Sequence, residues 1–344
     1  MKASWRSPSN IALIKYWGKH GLQLPRNPSI SFTLSNAFSE TSVELIEKSS
    51  AEPMSFDLFF DGKRKESFRP KIEQFLIKLL PELSYLNNYK LLINSTNSFP
   101  HSTGIASSAS SMSALALCLL DLAYQIEERS INSSSFLNKA SELSRLGSGS
   151  ACRSVFPHLA LWGKSEQIES SSDYFAIPFS ERVDSVYKSF HNDILIVRSA
   201  QKSVSSSVGH GLMDNNAFSA SRYQEAHLHL NEILTALKSG NLSVFGNLVE
   251  AEALQLHALM MCSTPSFILM EANSIALIKK IRHWRKDKNM PLYFSLDAGP
   301  NLHLMYPDEI QKEAQDFIQN DLIMYCENNK ILKDKVGDGP EKIF

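Results

Sequence analysis

The chain has 344 residues, with 35 lysines and arginines against 36 aspartates and glutamates and a formal net charge of −1. Hydrophobic residues make up 43% and charged residues 21%, a globular balance that excludes disorder, collagen-like repeats and disulfide scaffolds. The length favours two domains, and the near-neutral charge argues against a nucleic-acid or membrane-surface partner.

Short apolar or alternating runs, bounded by glycine, proline or asparagine, predict strands. In chain order they cover residues 41–46, 56–60, 89–94, 159–162, 194–199, 293–296 and 302–306. The second run ends at Asp61-Gly62, which predicts a hairpin turn. Helical periodicity predicts helices. These cover residues 106–124, 135–146, 220–239, 243–262, 267–285 and 308–327. Strands and helices do not alternate regularly, so the sequence predicts an α+β fold instead of a doubly wound sheet.

We interpret the serine- and charge-rich segment 166–185 as the connection between two halves of the chain. We therefore predict an N-terminal domain over residues 1–188, a C-terminal domain over 189–327 and a loose C-terminal extension over 328–344. Four separated cysteines without a C-x-x-C pair favour free thiols in a reducing compartment over a metal site. With no apolar signal segment near Met1, the sequence predicts a soluble, cytoplasmic protein.

The segment 98–111 contains small and hydroxyl side chains, follows a predicted strand and enters an alanine- and leucine-rich helix. Small residues let a ligand approach the main chain, and a helix start offers unpaired N–H groups and a positive dipole end. Ser107 and Ser108 add hydroxyls, so the segment is suited to polyphosphate, although the Walker A lysine is absent. The alternative is a serine-rich helix cap that packs against the core.

Three further segments carry candidate site residues. An apolar strand leads to Lys15, Tyr16 and Lys19, which suit a doubly anionic ligand, although solvated lysines at a strand end are the alternative. The Gly-Ser-rich segment 147–154 ends near Arg153, whose planar guanidinium suits a carboxylate, and a linker is its alternative.

The last of the three segments is the predicted strand 293–296, which runs directly into Asp297 and then Gly-Pro. A carboxylate at this place can project from a rigid element into a cleft and act as a base. The alternative is an aspartate that binds the amides of its own turn.

Together these segments resemble the mevalonate diphosphate decarboxylase family of the GHMP kinase superfamily. The resemblance rests on five blocks in the family's order, at 10–19, 27–31, 100–109, 147–154 and 297–301. It implies a two-domain GHMP-kinase-like fold with the active cleft between the domains. It also implies ATP-dependent conversion of (R)-5-diphosphomevalonate to isopentenyl diphosphate, with ADP, phosphate and CO2.

The resemblance also implies site residues. The expected catalytic residues are Asp297 as the catalytic aspartate, Arg153 on the substrate carboxylate, Lys15 beside the reacting centre, and Ser150. The expected substrate-binding residues are Tyr16, Lys19, Ser148 and Ser206. The expected ATP-binding residues are Pro100, Gly104, Ser107 and Ser108.

No side chain is expected to form a metal site of its own; ATP with Mg²⁺ is the expected cofactor, and a homodimer is the expected assembly. Some bacterial members of the family have an arginine where this chain has Ser207, which leaves phosphomevalonate decarboxylase as the alternative substrate class. A mevalonate-type kinase is the other alternative. It would need the ATP loop and Asp297 but no carboxylate-binding Arg153.

Overall fold

The computed structural model describes residues 1–48, 54–99, 107–200 and 204–344. Its strands belong to one large sheet, one small sheet and one short hairpin. They are β1 (Lys2–Ala12), β2 (Lys19–His20), β3 (Leu24–Pro25), β4 (Ser29–Glu47), β5 (Phe56–Phe60), β6 (Lys63–Arg64), β7 (Tyr89–Asn97), β8 (Leu159–Trp162), β9 (Ala176–Pro178), β10 (His191–Leu195), β11 (Tyr293–Leu296), β12 (Leu302–Tyr306), β13 (Ile331–Leu332) and β14 (Glu341–Lys342). The α-helices are α1 (Arg69–Leu79), α2 (Ser107–Ile126), α3 (Ser134–Gly147), α4 (Ser206–Gly211), α5 (Ser219–Ser239), α6 (Leu242–Met261), α7 (Ala272–Lys288) and α8 (Gln311–Phe317).

The large sheet has the order β14-β1-β4-β7-β5-β6, with β8 on β4 and β9 on β8. Its pairs are antiparallel except for β5 with β7. Strand β4 connects the β7 side of the sheet to the β8–β9 side, because its C-terminal half pairs with β7 and its N-terminal end pairs with β8. Apolar side chains of α1, α2 and α3 cover one face of this sheet and form the first hydrophobic core.

The small sheet has the order β11-β12-β10-β13 and is antiparallel throughout. Side chains of α7 and α8 pack with it in a second core. A third core joins the two sheets, because apolar residues of β1, β4 and β8 pack with residues of α5, α6 and β10. Mixed sheets and helices in this arrangement confirm the predicted α+β fold.

Most predicted elements are present. The strands at 56–60, 159–162, 293–296 and 302–306 have the predicted bounds, and Asp61 and Gly62 have φ values of 50° and 72° in the predicted hairpin turn. The strand predicted at 194–199 is wrong in its bounds, since β10 ends at Leu195. Beyond it, the Ile196 carbonyl accepts from the Glu327 amide at 2.7 Å and the Arg198 amide donates to the Asn301 side chain at 3.0 Å, so the regular pairing with β12 has ended.

The predicted helices differ from the observed ones mainly at their ends. The helix predicted at 308–327 is interrupted, because α8 continues into a π turn at Ile318–Leu322 and then short 3₁₀ turns. The helix predicted from residue 267 begins at Ala272, where Glu271 and Ser274 form a capping box.

The C-terminal segment is not loose, contrary to the prediction for 328–344. Its β13 pairs with β10 of the small sheet, and its β14 pairs with β1 of the large sheet. Between them, the buried Asp334 carboxylate accepts hydrogen bonds at 2.8 Å from the amides of Ser35, Asn36 and Ala37. The segment therefore connects the two sheets through main-chain pairing and a buried carboxylate, which sequence polarity alone does not reveal.

Among the described residues, α2 is the one helix long and apolar enough to cross a membrane. Within its most apolar stretch, however, 83% of the residues are buried inside the fold. Its apolar length is therefore explained by its place at the centre of the first core.

Candidate active site

A cavity of about 570 Å³ lies where the end of β1, the start of α2, the 3₁₀ turn after α3, α4 and the turn after β11 meet. All ten predicted site residues that the structure describes line it. They are Lys15, Tyr16, Lys19, Ser107, Ser108, Ser148, Ser150, Arg153, Ser206 and Asp297. The predicted ATP-binding residues Pro100 and Gly104 lie outside the described residues. The structure thus brings together side chains that are up to 282 residues apart in the sequence.

The centre of the cavity contains a lysine–aspartate pair. The Lys15 Nζ atom lies 2.9 Å from Asp297 Oδ1. The Lys15 side chain is 2% exposed and that of Asp297 is 24% exposed, so the aspartate is the member open to a ligand. Burial lowers the pKa of Lys15, and the Asp297 carboxylate partly opposes this effect. The alternative of a solvated Lys15 is therefore excluded.

Arg153 is buried in the cavity wall with part of its guanidinium free to bind a ligand. Its Nε donates to Ser31 Oγ at 3.0 Å, and its Nη2 donates to Asn10 Oδ1 at 3.3 Å. Asn10 in turn donates from Nδ2 to the Ser150 carbonyl at 3.0 Å. The buried Nη1 atom has no hydrogen-bond partner among the described residues. Buried donors are normally paired, so Nη1 is available to an acceptor on a ligand.

The 3₁₀ turn that contains Arg153 is an ordered wall, which excludes the linker alternative. Residues Gly149–Arg153 form this turn, and Gly149 itself is buried. A side chain at Gly149 would place its Cβ 2.8 Å from Tyr16 Oη, so this approach requires glycine. The Tyr16 hydroxyl is buried and has no hydrogen-bond partner among the described residues. Burial raises its pKa, so it remains a neutral donor.

The serines form a row along one wall. Ser107 and Ser108 are the first two residues of α2, and Ser108 Oγ lies 3.2 Å from Ser148 Oγ. Ser148 Oγ lies 3.5 Å from Ser150 Oγ. Ser206, the first residue of α4, also lines the cavity. These hydroxyls offer neutral donors to an anionic ligand.

Lys19 stands at another part of the wall and donates from Nζ to Gln23 Oε1 at 2.8 Å. Burial and the charge of Lys78 lower the pKa of Lys19. The prediction missed Lys71 of α1, which also lines the cavity. Helix α1 has apolar residues at helical spacing, Ile72, Phe75, Leu76 and Leu79, so periodicity could have found the helix, although not its proximity to Lys19. Among the described lining residues, four cationic side chains therefore face one carboxylate, that of Asp297.

Sequence reasoning also missed His210 of α4. Its Nδ1 accepts a hydrogen bond from the Gly18 amide at 3.0 Å, and its ring lies 4.4 Å from the ring of Tyr16. The positive charge of the wall suits a polyanion, and one partly exposed carboxylate suits removal or orientation of a hydroxyl proton. Within the described part of the chain, no group of three or more His, Cys, Asp or Glu side chains could hold a metal ion.

Two family models match the chain. Residues 7–174 match the diphosphomevalonate decarboxylase-like N-terminal domain, and residues 193–343 match the mevalonate 5-diphosphate decarboxylase C-terminal domain. A curated relative, the diphosphomevalonate decarboxylase of Candida albicans, is 29% identical over 326 residues, covering 91% of this chain and 86% of its own.

Solved structures are similar over the whole chain. The mevalonate diphosphate decarboxylase of Staphylococcus aureus is 26% identical, with a TM-score of 0.85, covering 100% of this chain and 98% of its own. A structure described as MDDEF in complex with MVAPP, AMPPCP and magnesium is 26% identical, with a TM-score of 0.84, covering 100% of this chain and 99% of its own. The predicted two-domain fold with a cleft between its parts is confirmed by these similarities.

Proposed function

The chain belongs to the diphosphomevalonate decarboxylase family, and from this premise we propose how its cavity performs the family's reaction. The reaction is the ATP-dependent conversion of (R)-5-diphosphomevalonate to isopentenyl diphosphate, ADP, phosphate and CO2. The observation that best supports this function is one cavity that holds a buried lysine–aspartate pair, a buried guanidinium with an unpartnered nitrogen and a serine row at a helix start.

The chemistry requires a better leaving group at C3. The tertiary hydroxyl leaves poorly, so transfer of the ATP γ-phosphoryl group to its oxygen comes first. The C3–O bond then breaks with departure of phosphate, and the C1–C2 bond breaks with release of CO2. The electron pair of the C1–C2 bond becomes the new C2–C3 double bond. The site must therefore activate a hydroxyl, hold a carboxylate and exclude water.

We assign these tasks to the residues at the centre of the cavity. Asp297 accepts or orients the proton of the 3-hydroxyl, and Lys15 fixes the carboxylate at 2.9 Å while it supplies positive charge. Arg153 binds the substrate carboxylate through Nη1, the atom without a partner among the described residues. Ser150 contacts the substrate beside Arg153.

The remaining residues bind phosphate groups. Tyr16, Lys19, Ser148 and Ser206 hold the diphosphate of the substrate, and the start of α2 holds the ATP phosphates through Ser107 and Ser108. In the MDDEF structure, MVAPP, AMPPCP and magnesium are bound together. Mg²⁺ neutralises triphosphate charge when it is bound with the nucleotide. The serine hydroxyls of the cavity wall and the phosphate oxygens of the nucleotide would offer Mg²⁺ the oxygen ligands that it prefers.

We also propose the location, the assembly and the domain boundary that are predicted from the sequence. The protein acts on small molecules in the cytoplasm and forms a homodimer. The boundary between its two domains lies between residues 188 and 189. Light scattering on the purified protein tests the assembly, since a dimer has twice the 38.6 kDa of the chain.

The function is tested by ADP release from the purified protein with mevalonate 5-diphosphate, mevalonate 5-phosphate and mevalonate as separate substrates. The proposal predicts the highest kcat/KM with the diphosphate. A preference for the monophosphate would reassign the enzyme to the phosphomevalonate decarboxylases. ADP release with mevalonate but with neither of its phosphates would reassign it to the kinases.

A further inference from the structure

We propose that α6 positions both members of the Lys15–Asp297 pair, through the side chains of Glu252 and His257. The inference rests on the proposed function, because it concerns the geometry of that same pair. Neither Glu252 nor His257 is among the described residues that line the cavity, so both act through other residues. They are therefore positioning residues and not catalytic ones.

Glu252 holds the main chain of Lys15. Its side chain is completely buried, and its Oε2 accepts the Lys15 amide at 2.7 Å. The carboxylate is itself fixed by Arg222 of α5, whose Nη1 and Nη2 donate to its two oxygens at 2.8 and 2.5 Å. Arg222 Nη2 also donates to the Lys15 carbonyl at 3.2 Å. This buried ion pair thus holds the Lys15 peptide groups on both sides.

His257 holds the main chain of Asp297. Its side chain is buried, and its Nε2–H donates to the Asp297 carbonyl at 3.1 Å. Burial lowers the pKa of His257 to about 4, so the ring is neutral at physiological pH and has one N–H to donate. Because this bond goes to the main chain, it does not use the carboxylate of Asp297, which contacts Lys15 Nζ.

Glu252 and His257 are five positions apart on one helix, and Leu256 between them lines the cavity. A helix is rigid over this distance, so it fixes the main chains of two segments that come from different sheets. We infer that the helix thereby sets the distance of 2.9 Å between Lys15 Nζ and Asp297 Oδ1. Misplacement of a reacting group by about 1 Å costs on the order of 100-fold in rate. Loss of either contact should therefore reduce kcat.

A buried ion pair also contributes to folding, and α6 supplies a matched control for that effect. Glu250 lies two residues before Glu252, is 3% exposed and likewise pairs with arginines. Its partners are Arg282 at 3.0 Å and Arg285 at 2.5 Å, both on α7. The described contacts of Glu250 include neither Lys15 nor Asp297. The two glutamates thus have similar burial and charge, but Glu252 contacts the main chain of Lys15 and Glu250 does not.

The experiment compares Glu252→Met with Glu250→Met in melting temperature, kcat and both KM values. Methionine has a similar length but no carboxylate oxygen, so each variant leaves arginine without its partner and both should melt at lower temperature. We expect Glu252→Met, which also loses the acceptor of the Lys15 amide, to lose at least about tenfold in kcat with both KM values nearly unchanged, while Glu250→Met keeps kcat. Equal kcat values in the two folded variants would overturn the inference.

His257 provides a second pair of variants in case Glu252→Met does not fold. His257→Phe removes the N–H donor at similar size and should reduce kcat. His257→Gln can place an amide N–H near the position of Nε2 and should restore most of the rate. Full kcat in His257→Phe would contradict the role of this contact. Wild-type protein without turnover would instead contradict the proposed function, so the two failures are distinguishable.

Discussion

Replacing Arg153 by lysine keeps the positive charge but removes the planar guanidinium from the cavity wall. The arginine uses Nε and Nη2 to anchor itself on Ser31 and Asn10, and it leaves the buried Nη1 for a ligand. A lysine has one nitrogen for all three tasks. The variant must therefore give up the substrate carboxylate, the anchors or both.

The size of the effect follows from the number of bonds lost. A hydrogen bond from a charged donor is worth about 1.5–3 kcal/mol. Since about 1.4 kcal/mol is a tenfold change in rate, one lost bond lowers kcat/KM for diphosphomevalonate by about 10- to 150-fold. Binding of the carboxylate also orients the C1–C2 bond that breaks, so part of the loss should fall on kcat. The KM for ATP should change little.

The assay measures kcat, both KM values and the melting temperature on one preparation of Arg153→Lys. Arg285→Lys is the control, because Arg285 is paired with Glu250 and donates to the Leu292 carbonyl instead of lining the cavity. The control should melt lower than the wild type and keep its kinetics. An Arg153→Lys enzyme that melts lower but keeps full kcat and KM would refute the carboxylate role.

The remaining predictions concern other parts of the site and fold. Ser108→Ala should raise the KM for ATP more than that for diphosphomevalonate, and the opposite order would contradict its assignment to ATP. Asp297→Asn should reduce kcat by about 10²–10⁴-fold, and more than a tenth of the wild-type rate would exclude it from the mechanism. The hydrogen bond to Glu252 raises the pKa of His229. The protonated ring therefore stabilises the fold fully below about pH 6.5, and this stabilisation is lost as the pH rises through the raised pKa of the folded state. The melting difference between wild type and His229→Gln should thus be largest at low pH; a constant difference between pH 5.5 and 8.5 would contradict it. Asp334→Asn should cost about 1–3 kcal/mol in unfolding free energy, because the amide cannot accept every main-chain N–H that the carboxylate does; an unchanged denaturation midpoint would contradict this.

The site residues that the sequence predicts are those at the ends of elements. Asp297 follows an apolar run and precedes Gly-Pro, and Lys15 ends another apolar run, so local pattern alone marks both as projecting from strands. Their 2.9 Å contact joins positions 282 residues apart and could be expected only through the family resemblance.

The positioning residues could not be found in this way. Residues 243–262 predict a helix correctly, but Glu252 and Glu250 are both acidic positions of that helix with no local difference between them. Their roles differ because one faces Lys15 and the other faces α7, which is decided by tertiary packing. The periodicity of a sequence indicates that a helix forms, but it does not indicate which residue each side chain contacts.

The first strand shows a different limit. In the first part of β1 the buried positions include Ser4, Ser7 and Ser9, so only the apolar end of the strand, towards Lys15, could be predicted. Ser7 is accommodated because its Oγ lies 2.5 Å from Ser113 Oγ of α2. Pro8 also argues against a strand, but it stands where the β1–β4 register shifts. Hydrogen bonds to a neighbouring helix replace the apolar contacts that a prediction looks for.

The most direct test of the proposed reaction is to measure CO2 and ADP in the same reaction, with (R)-5-diphosphomevalonate labelled at C1. We expect labelled CO2 to appear only when ATP is present, with one CO2 for each ADP. Release of ADP without CO2 would show phosphoryl transfer alone, and release of CO2 without ATP would show that phosphorylation of the 3-hydroxyl is not required. Either result would contradict the assigned function.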